Sequence, residues 1–245
     1  MTSLPDPVPS QKRLGLVIDL DACVGCHACA TACKSWNDQG HSGPLSDQEP
    51  YGVQPNGVWF NRIHSFEVDD GGAGRVVHFP RSCLHCAEPA CVTVCPTGAS
   101  YKRSEDGIVL VNADLCIGCK LCSWACPYGA REVDETERVM KKCTLCIDRI
   151  YNDHLPERDR VPACVAVCPT RARSFGDLGD PDSKVSKLVA DRGGVDLMPQ
   201  LGYRPTNKYL PPRKAVEVTT TSLDEGPLDL SGHPFLRIID RLLGG

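Results

Sequence analysis

Aromatic residues are scarce in this sequence. Three Trp, five Phe and six Tyr are spread over 245 residues, so large rings cannot fill a conventional core, and something else must hold the loops. Long apolar runs are missing too. Residues 14–20 form a short one that runs into Asp21, and nothing approaches the roughly 18 or more residues of a membrane-crossing helix. The first fifteen residues lack the apolar stretch of a secretory signal. If the protein serves a membrane or is exported, a partner is expected to supply the anchor or the signal. There is no excess of positive charge: the net charge is −4, which gives no argument for nucleic acid. No phosphate loop, dinucleotide fingerprint or nucleophile-with-base pattern occurs, so the chain is expected not to be an enzyme by itself.

What the sequence does have is 16 cysteines, in four quartets. Cys116, Cys119, Cys122 and Cys126 follow the spacing C-x2-C-x2-C-x3-C, with Pro127 directly after. Three thiolates at this spacing wrap one side of a cubane iron–sulfur cluster, and in two-cluster ferredoxins the fourth reaches a different cluster. Cys23, Cys26, Cys29 and Cys33 repeat the spacing, but Lys34 stands where Pro would. Cys83, Cys86, Cys91 and Cys95 have a longer second gap and end in Pro96. Cys143, Cys146, Cys164 and Cys168 have a polar insertion between halves and end in Pro169. Structural zinc prefers two separated cysteine pairs in a tetrahedron, which is not this pattern, and disulfides fit a secreted context that the sequence does not suggest.

The quartets form an internal repeat. Asp21-Ala-Cys-Val-Gly-Cys26 matches Asp114-Leu-Cys-Ile-Gly-Cys119, and Pro89-Ala-Cys-Val-Thr-Val-Cys-Pro-Thr97 matches Pro162-Ala-Cys-Val-Ala-Val-Cys-Pro-Thr170. The short link between quartets two and three suggests one two-cluster unit that exchanges fourth ligands, leaving quartets one and four to pair around it. The expected sets are then Cys116, Cys119, Cys122 with Cys95; Cys83, Cys86, Cys91 with Cys126; Cys23, Cys26, Cys29 with Cys168; and Cys143, Cys146, Cys164 with Cys33.

With these motifs in view, the chain resembles the four-cluster electron-transfer subunits of the dimethyl-sulfoxide-reductase-type molybdenum oxidoreductases, over roughly residues 14–210. Within them it looks most like the membrane-bound sulfite dehydrogenase branch, on Cys33-Lys-Ser-Trp-Asn37 and on residues 179–188. The resemblance implies the same nested ligand sets and four [4Fe-4S] clusters, since the third quartet is all cysteine. It implies two partners, a molybdopterin catalytic subunit and an integral-membrane, quinone-binding subunit, and a role relaying electrons between them in oxidation of sulfite to sulfate. Subunits acting with dimethyl sulfoxide, polysulfide, thiosulfate or tetrathionate, and those of formate dehydrogenase or hydrogenase, are the alternatives, with a free polyferredoxin behind them. The implied location is the cytoplasmic face of the inner membrane through the partner, or the periplasm by co-export.

The expected fold is α+β. Two pseudo-symmetric, bacterial-ferredoxin-like 2[4Fe-4S] units carry a β-hairpin insertion at 58–79 and an extended C-terminal tail. Residues 1–82 with 140–180 would form the outer unit and 83–139 the inner one. Residues 181–245 would hold a short helix, the tail from 193 and a terminal helix for partner contact, with Phe235, Ile238, Ile239 and Leu242 on one face. Gly25 and Gly118 are expected to bring backbone close to a cluster. His27 and His85 should pack beside complete quartets. Arg81, Lys141 and Lys142 are cations that could raise a cluster's potential or be solvated. Trp36 and Trp124 are expected to shield clusters from water.

Overall fold

A computed structural model describes residues 11–37, 58–69 and 74–213. The terminal helix expected beyond residue 233 lies outside the described residues. The described residues up to Pro212 form one compact unit.

The chain opens on β1 (Leu14–Asp19), which leads into the first quartet and helix α1 (Ala28–Asn37). A long hairpin, β2 (Asn61–Val68) and β3 (Arg75–Ser82), delivers the second quartet, with α2 (Ala90–Thr93) and then β4 (Ser100–Lys102). The pattern then repeats. Strand β5 (Val109–Val111) leads into the third quartet and α3 (Leu121–Trp124). A short hairpin, β6 (Glu132–Asp134) and β7 (Val139–Lys141), delivers the fourth quartet, with α4 (Ile147–Ile150), α5 (Ala163–Ala166) and β8 (Arg173–Asp177). Helix α6 (Lys184–Arg192) and β9 (Lys208–Leu210) close the described fold. The mix is α+β.

Each repeat is thus strand, quartet, hairpin, quartet, strand. The β2–β3 hairpin, read from sequence as an insertion, is the elongated counterpart of β6–β7. The repeats are joined by their ends. Strand β1 pairs antiparallel with β8, and β4 pairs antiparallel with β5, so the first strand of each repeat lies against the last strand of the other.

Proline explains the helix lengths. Helices α2, α3 and α5 are each four residues long and stop just short of a Cys-Pro pair, because a residue before proline is pushed out of the α region. In the first quartet Lys34 replaces that proline, and α1 runs on for ten residues. Buried Lys34 then donates to the Val58 carbonyl at 3.0 Å, anchoring the entry to the long hairpin.

The described part of the expected tail is not extended. Residues 203–210 strap the second quartet. Amides of Ala87 and Glu88 donate to the carbonyls of Arg204 and Tyr203, and those of Thr206 and Asn207 donate to Leu84. Strand β9 joins β1 in parallel, giving the sheet order β8-β1-β9. Tyr209 stacks on Phe79 with ring centroids 4.5 Å apart and its hydroxyl donates to the Pro80 carbonyl at 2.8 Å. Helix α6 is capped at its start by the Ser183 hydroxyl and ends at left-handed Gly193. It seats Val185, Leu188 and Val189 against Val17 and Leu210. The main core mixes Leu16, Ile18, Ile63, Leu84 and Ile108 with four cysteines, Cys29, Cys83, Cys143 and Cys164. Sulfur takes the place that large rings would fill.

Candidate metal centre

All four quartet loops turn in the same way. The residue two positions after the first cysteine has a left-handed backbone in each: Gly25, His85, Gly118 and Leu145, with φ of 67°, 47°, 65° and 55°. A left-handed residue among right-handed ones turns successive N–H groups to one side and makes a concavity that suits an anion. At His85 and Leu145 a side chain accepts this strain, and strain of that kind collects at functional sites. At Gly25 and Gly118 the neighbours as they stand leave no room for one. An added Cβ would lie 2.5 Å from the His78 ring and 2.5 Å from the Arg138 carbonyl oxygen, respectively.

The loops bring the sixteen thiols into four groups. Cys95, Cys116, Cys119 and Cys122 line one cavity of about 330 Å³, its open mouth included, with Ile117, Val111 and Met140. Cys23, Cys26, Cys29 and Cys168 line a second of about 340 Å³, with Ile63, Pro80 and Arg173. Burial pushes the Cys86 thiol up to about 12, helped by the charges of Cys83, Cys126 and Cys91. Burial likewise raises Cys33 well above the usual thiol range, followed by the charges of Cys143, Cys164 and Cys146. The Asn37 amide sits 3.5 Å from both Cys33 Sγ and Cys146 Sγ.

Neighbouring groups also act on each other. Cys91 acts on Cys122, Cys83 on Cys143 and Cys29 on Cys164. These adjacencies link the groups in series: the Cys119 group, the Cys86 group, the Cys146 group and the Cys26 group. The two cysteines exposed to solvent are Cys119 and Cys26, one in each end group. The end loops carry exposed apolar side chains as well, Ile117, Leu115 and Trp124 at one end and Val24 at the other.

These residues fit an iron–sulfur cluster. Among the described residues no three His, Cys, Asp or Glu side chains converge on a point that would hold a single ion; in the two end groups the thiols line an open cavity instead. A cubane needs that arrangement, because each thiolate takes a different iron. Burial favours the protonated thiol at Cys33, Cys143, Cys146 and Cys164, and a metal replaces such protons. Backbone amides already point at sulfur: Ser100 N–H at Cys95 (3.3 Å), Met140 N–H at Cys116 (3.3 Å) and Leu145 N–H at Cys143 (3.5 Å). Arg131 Nη1, Arg173 Nη1 and His85 Nε2 are among the buried donors with no well-formed hydrogen bond among the described residues, although Arg131 lies against the Cys122 thiol and Arg173 against the Cys164 thiol. His85 Nδ1 accepts from the Val109 amide at 3.1 Å, so its proton is on Nε2. Inorganic sulfide would supply the acceptors these donors lack.

Other candidates divide. Lys141 is held by Asp134 and Glu137, both at 2.7 Å, so it serves the β6–β7 hairpin. Lys142 is buried and donates to the Cys143 carbonyl at 2.6 Å and to the Val109 carbonyl. Arg81 packs against Gly129. His27 accepts the Ala30 and Thr31 amides on its carbonyl and so starts α1. Trp124 does not shield a cluster: it is 79% exposed, because the third loop lies at the surface. Trp36 donates to Asp148 at 2.8 Å and lies under Arg149, bracing α1 against α4. Sequence reasoning missed Arg131 and Arg173, which are buried beside thiols. Their signal was available, since each lies five residues after the last cysteine of its quartet, in Cys126-Pro-Tyr-Gly-Ala-Arg131 and Cys168-Pro-Thr-Arg-Ala-Arg173.

Comparison with known proteins agrees with this chemistry. Two family models described as 4Fe-4S dicluster domain match, one over residues 22–99 and one over residues 75–178. Two dicluster domains amount to four [4Fe-4S] clusters. The chain is 62% identical to a sulfite dehydrogenase subunit of Allochromatium vinosum, over 82% of this chain and 84% of the relative. It is 39% identical to one of the polysulfide reductase chains of Wolinella succinogenes, over 83% and 96%. It is 36% identical to a putative dimethyl sulfoxide reductase iron-sulfur subunit of Halobacterium salinarum, over 80% and 78%. The chain belongs to the 4Fe-4S dicluster family of iron–sulfur, electron-transfer subunits that these proteins represent.

Proposed function

We propose that this chain is the electron-transfer subunit of a sulfite-oxidising complex, placed between a molybdopterin catalytic subunit and a quinone-binding membrane subunit. The serial order of the four thiol groups supports the relay, together with exposure of one cysteine at each end. The 62% identity to a sulfite dehydrogenase subunit supports the substrate over polysulfide or dimethyl sulfoxide, whose relatives stand at 39% and 36%.

The ligand sets we propose are Cys95 with Cys116, Cys119 and Cys122; Cys126 with Cys83, Cys86 and Cys91; Cys33 with Cys143, Cys146 and Cys164; and Cys168 with Cys23, Cys26 and Cys29. When bound, the clusters supply one-electron chemistry. The chain's own part is spacing, insulation and tuning. The Leu84, Ile108 and Leu145 side chains, each 1% exposed or less, exclude water from the middle of the series. Amide-to-sulfur hydrogen bonds stabilise negative charge and so raise reduction potential. Exposed Ile117, Leu115 and Trp124 would meet one partner, and Val24 would lie near the other contact. The inner unit 83–139 and the outer unit 1–82 with 140–180 describe how the ligands are shared.

No helix among the described residues is long and apolar enough to cross a membrane. Attachment at the cytoplasmic face is proposed to run through the membrane partner. The test is the intact complex, assayed with sulfite and a quinone analogue. Sulfite-dependent quinone reduction is expected. A complex that oxidises or reduces only another sulfur compound would overturn the substrate.

A further inference from the structure

Arg131, Lys142 and Arg173 are buried, at 1%, 3% and 4% exposure, and have no carboxylate partner among the described residues. A charge taken out of water is costly unless something pairs with it. Arg131 Nη2 donates to Cys91 Sγ at 2.9 Å and to the Ser100 hydroxyl at 2.8 Å. Arg173 Nη2 donates to the Asn61 side-chain oxygen at 2.8 Å. The other terminal nitrogen of each guanidinium has no well-formed hydrogen bond among the described residues, and the two side chains lie against the Cys122 and Cys164 thiols. Lys142 reaches only carbonyls, those of Val109 and Cys143.

Their positions follow the series of thiol groups. Arg131 is within electrostatic reach of Cys91, Cys83 and Cys126 on one side and of Cys122 on the other, which is the junction of the Cys86 and Cys119 groups. Lys142 acts on Cys143 where that thiol meets Cys83, the junction of the Cys86 and Cys146 groups. Arg173 is felt by Cys164 and Cys33 and by Cys29, the junction of the Cys146 and Cys26 groups, and it lines the cavity of the latter. There are three junctions, and each holds one buried cation.

We propose that Arg131, Lys142 and Arg173 are positioning residues of the relay: fixed counter-charges, one between each consecutive pair of clusters, that hold both neighbours at potentials where an electron can occupy either. The inference rests on the cluster reading above. An electron arriving at either neighbour adds one negative charge beside the same cation. At Arg131 and Arg173 no proton moves, since a guanidinium is always charged. A cation shared by two sites favours the reduced state of both and offsets their mutual repulsion. The orphan guanidinium nitrogens would then donate to sulfur of the adjacent cluster.

The test uses the anaerobically purified, fully loaded complex. Iron is counted first, and the clusters are then titrated by electron paramagnetic resonance at poised potentials. The variants are Arg131→Gln, Arg131→Lys, Arg173→Gln and Arg173→Lys, with fully surface-directed Arg158→Gln as the screened control (its side chain is 87% exposed). Arg131→Gln should lower the reduced-to-oxidised ratio of two clusters about tenfold at fixed potential, which is about 59 mV for one electron. Arg173→Gln should do so for the other two. Each lysine variant should return toward the wild-type value, and Arg158→Gln should change nothing.

A Gln variant that loses a cluster while its Lys counterpart keeps it at the wild-type potential also supports the charge role. Full iron with unmoved potentials in the Gln variants overturns the proposal. So do equal shifts in Gln and Lys variants, or loss of clusters in both. Far fewer than sixteen irons in the wild-type complex would instead overturn the cluster reading itself.

Discussion

Gly118→Ala tests the geometry of the end group most sharply, because Gly98→Ala provides its control. Both glycines are left-handed, at φ 65° and 68°. Around Gly98 an added Cβ meets nothing within 4 Å, whereas at Gly118 it lies 2.5 Å from the Arg138 carbonyl oxygen. The left-handed conformation costs an alanine about 1–2 kcal/mol, and reduced freedom of the unfolded chain returns about 0.4–1 kcal/mol. Gly98→Ala should therefore lose no more than about 1.6 kcal/mol.

Gly118→Ala carries the same terms and must also relieve an overlap of almost 1 Å against ordinary contact at 3.4 Å or more. The obstacle is backbone. Arg138 is itself left-handed in the β6–β7 turn, its amide bonded to the Asp134 carbonyl at 2.7 Å, and Asp134 also accepts the Thr136 and Glu137 amides. Overpacking of this kind costs about 1–3 kcal/mol. Relief by moving the turn would pull β7, whose Met140 amide holds Cys116 Sγ. The expected result is selective loss or lability of the cluster in the Cys119 group, with Gly98→Ala fully loaded. Gly25→Ala should be milder than Gly118→Ala, because the His78 side chain can swing away at the cost of its 2.9 Å contact with Ser65. Iron and sulfide per chain, spin quantitation and thermal midpoints read all three. If Gly118→Ala matches Gly98→Ala in both iron content and midpoint, the close approach is not as described.

Three further outcomes are expected. Cys122→Ala should destroy one cluster or convert it to a three-iron form and leave the others; an unchanged spin count in the reduced variant would exclude Cys122 as a ligand. Asn207→Ala should cost about 2–6 kcal/mol, because fully buried Asn207 accepts the Leu16 amide at 2.8 Å and donates to the Cys83 carbonyl at 3.0 Å, and each buried group left unsatisfied costs about 1–3 kcal/mol; a midpoint within error of wild type would refute the strap. Deleting residues 233–245, an apolar-faced segment by sequence, should release the chain from its complex with all clusters in place, and pull-down with the partner subunits decides it.

The cysteine pattern is legible because cluster ligation is written in local spacing. Three thiols in seven residues leave few geometries, and the turns at Gly25 and Gly118 can be read from glycine alone. Strands β1 and β5, both hairpins and α6 are legible from alternation, turn residues and helical spacing. The strap at 203–210 is not. Its strand is three residues long amid prolines, and what fixes it is long-range: Asn207 and Thr206 satisfy backbone groups of residues 16, 83 and 85. Trp124 misleads because proximity in sequence to a ligand says nothing about which side of the loop faces water. Arg131 and Arg173 escape notice because a charged residue is ordinarily solvated, and their shared place five residues after a Cys-Pro cysteine gains meaning only once their burial is seen.

The crossed pairing of strands bears on assembly. Strand β1 opens repeat one and lies against β8, which closes repeat two; β5 opens repeat two and lies against β4, which closes repeat one. The β1–β8 and β4–β5 pairings therefore form only when both repeats are present. The thiol groups are shared in the same sense. Cys33 lies with Cys143, Cys146 and Cys164, and Cys168 with Cys23, Cys26 and Cys29. Closing these groups joins segments more than a hundred residues apart, and the entropy of such long loops grows only slowly with length, so metal–sulfur bonds can offset the closure once they form. Four buried cysteines inside the main core make the same point from the packing side: with few rings to bury, the centre of the fold is completed by what the thiols bind. Loading and folding should therefore be one cooperative event, and a chain stripped of iron should lose the β1–β8 pairing rather than shed one repeat at a time.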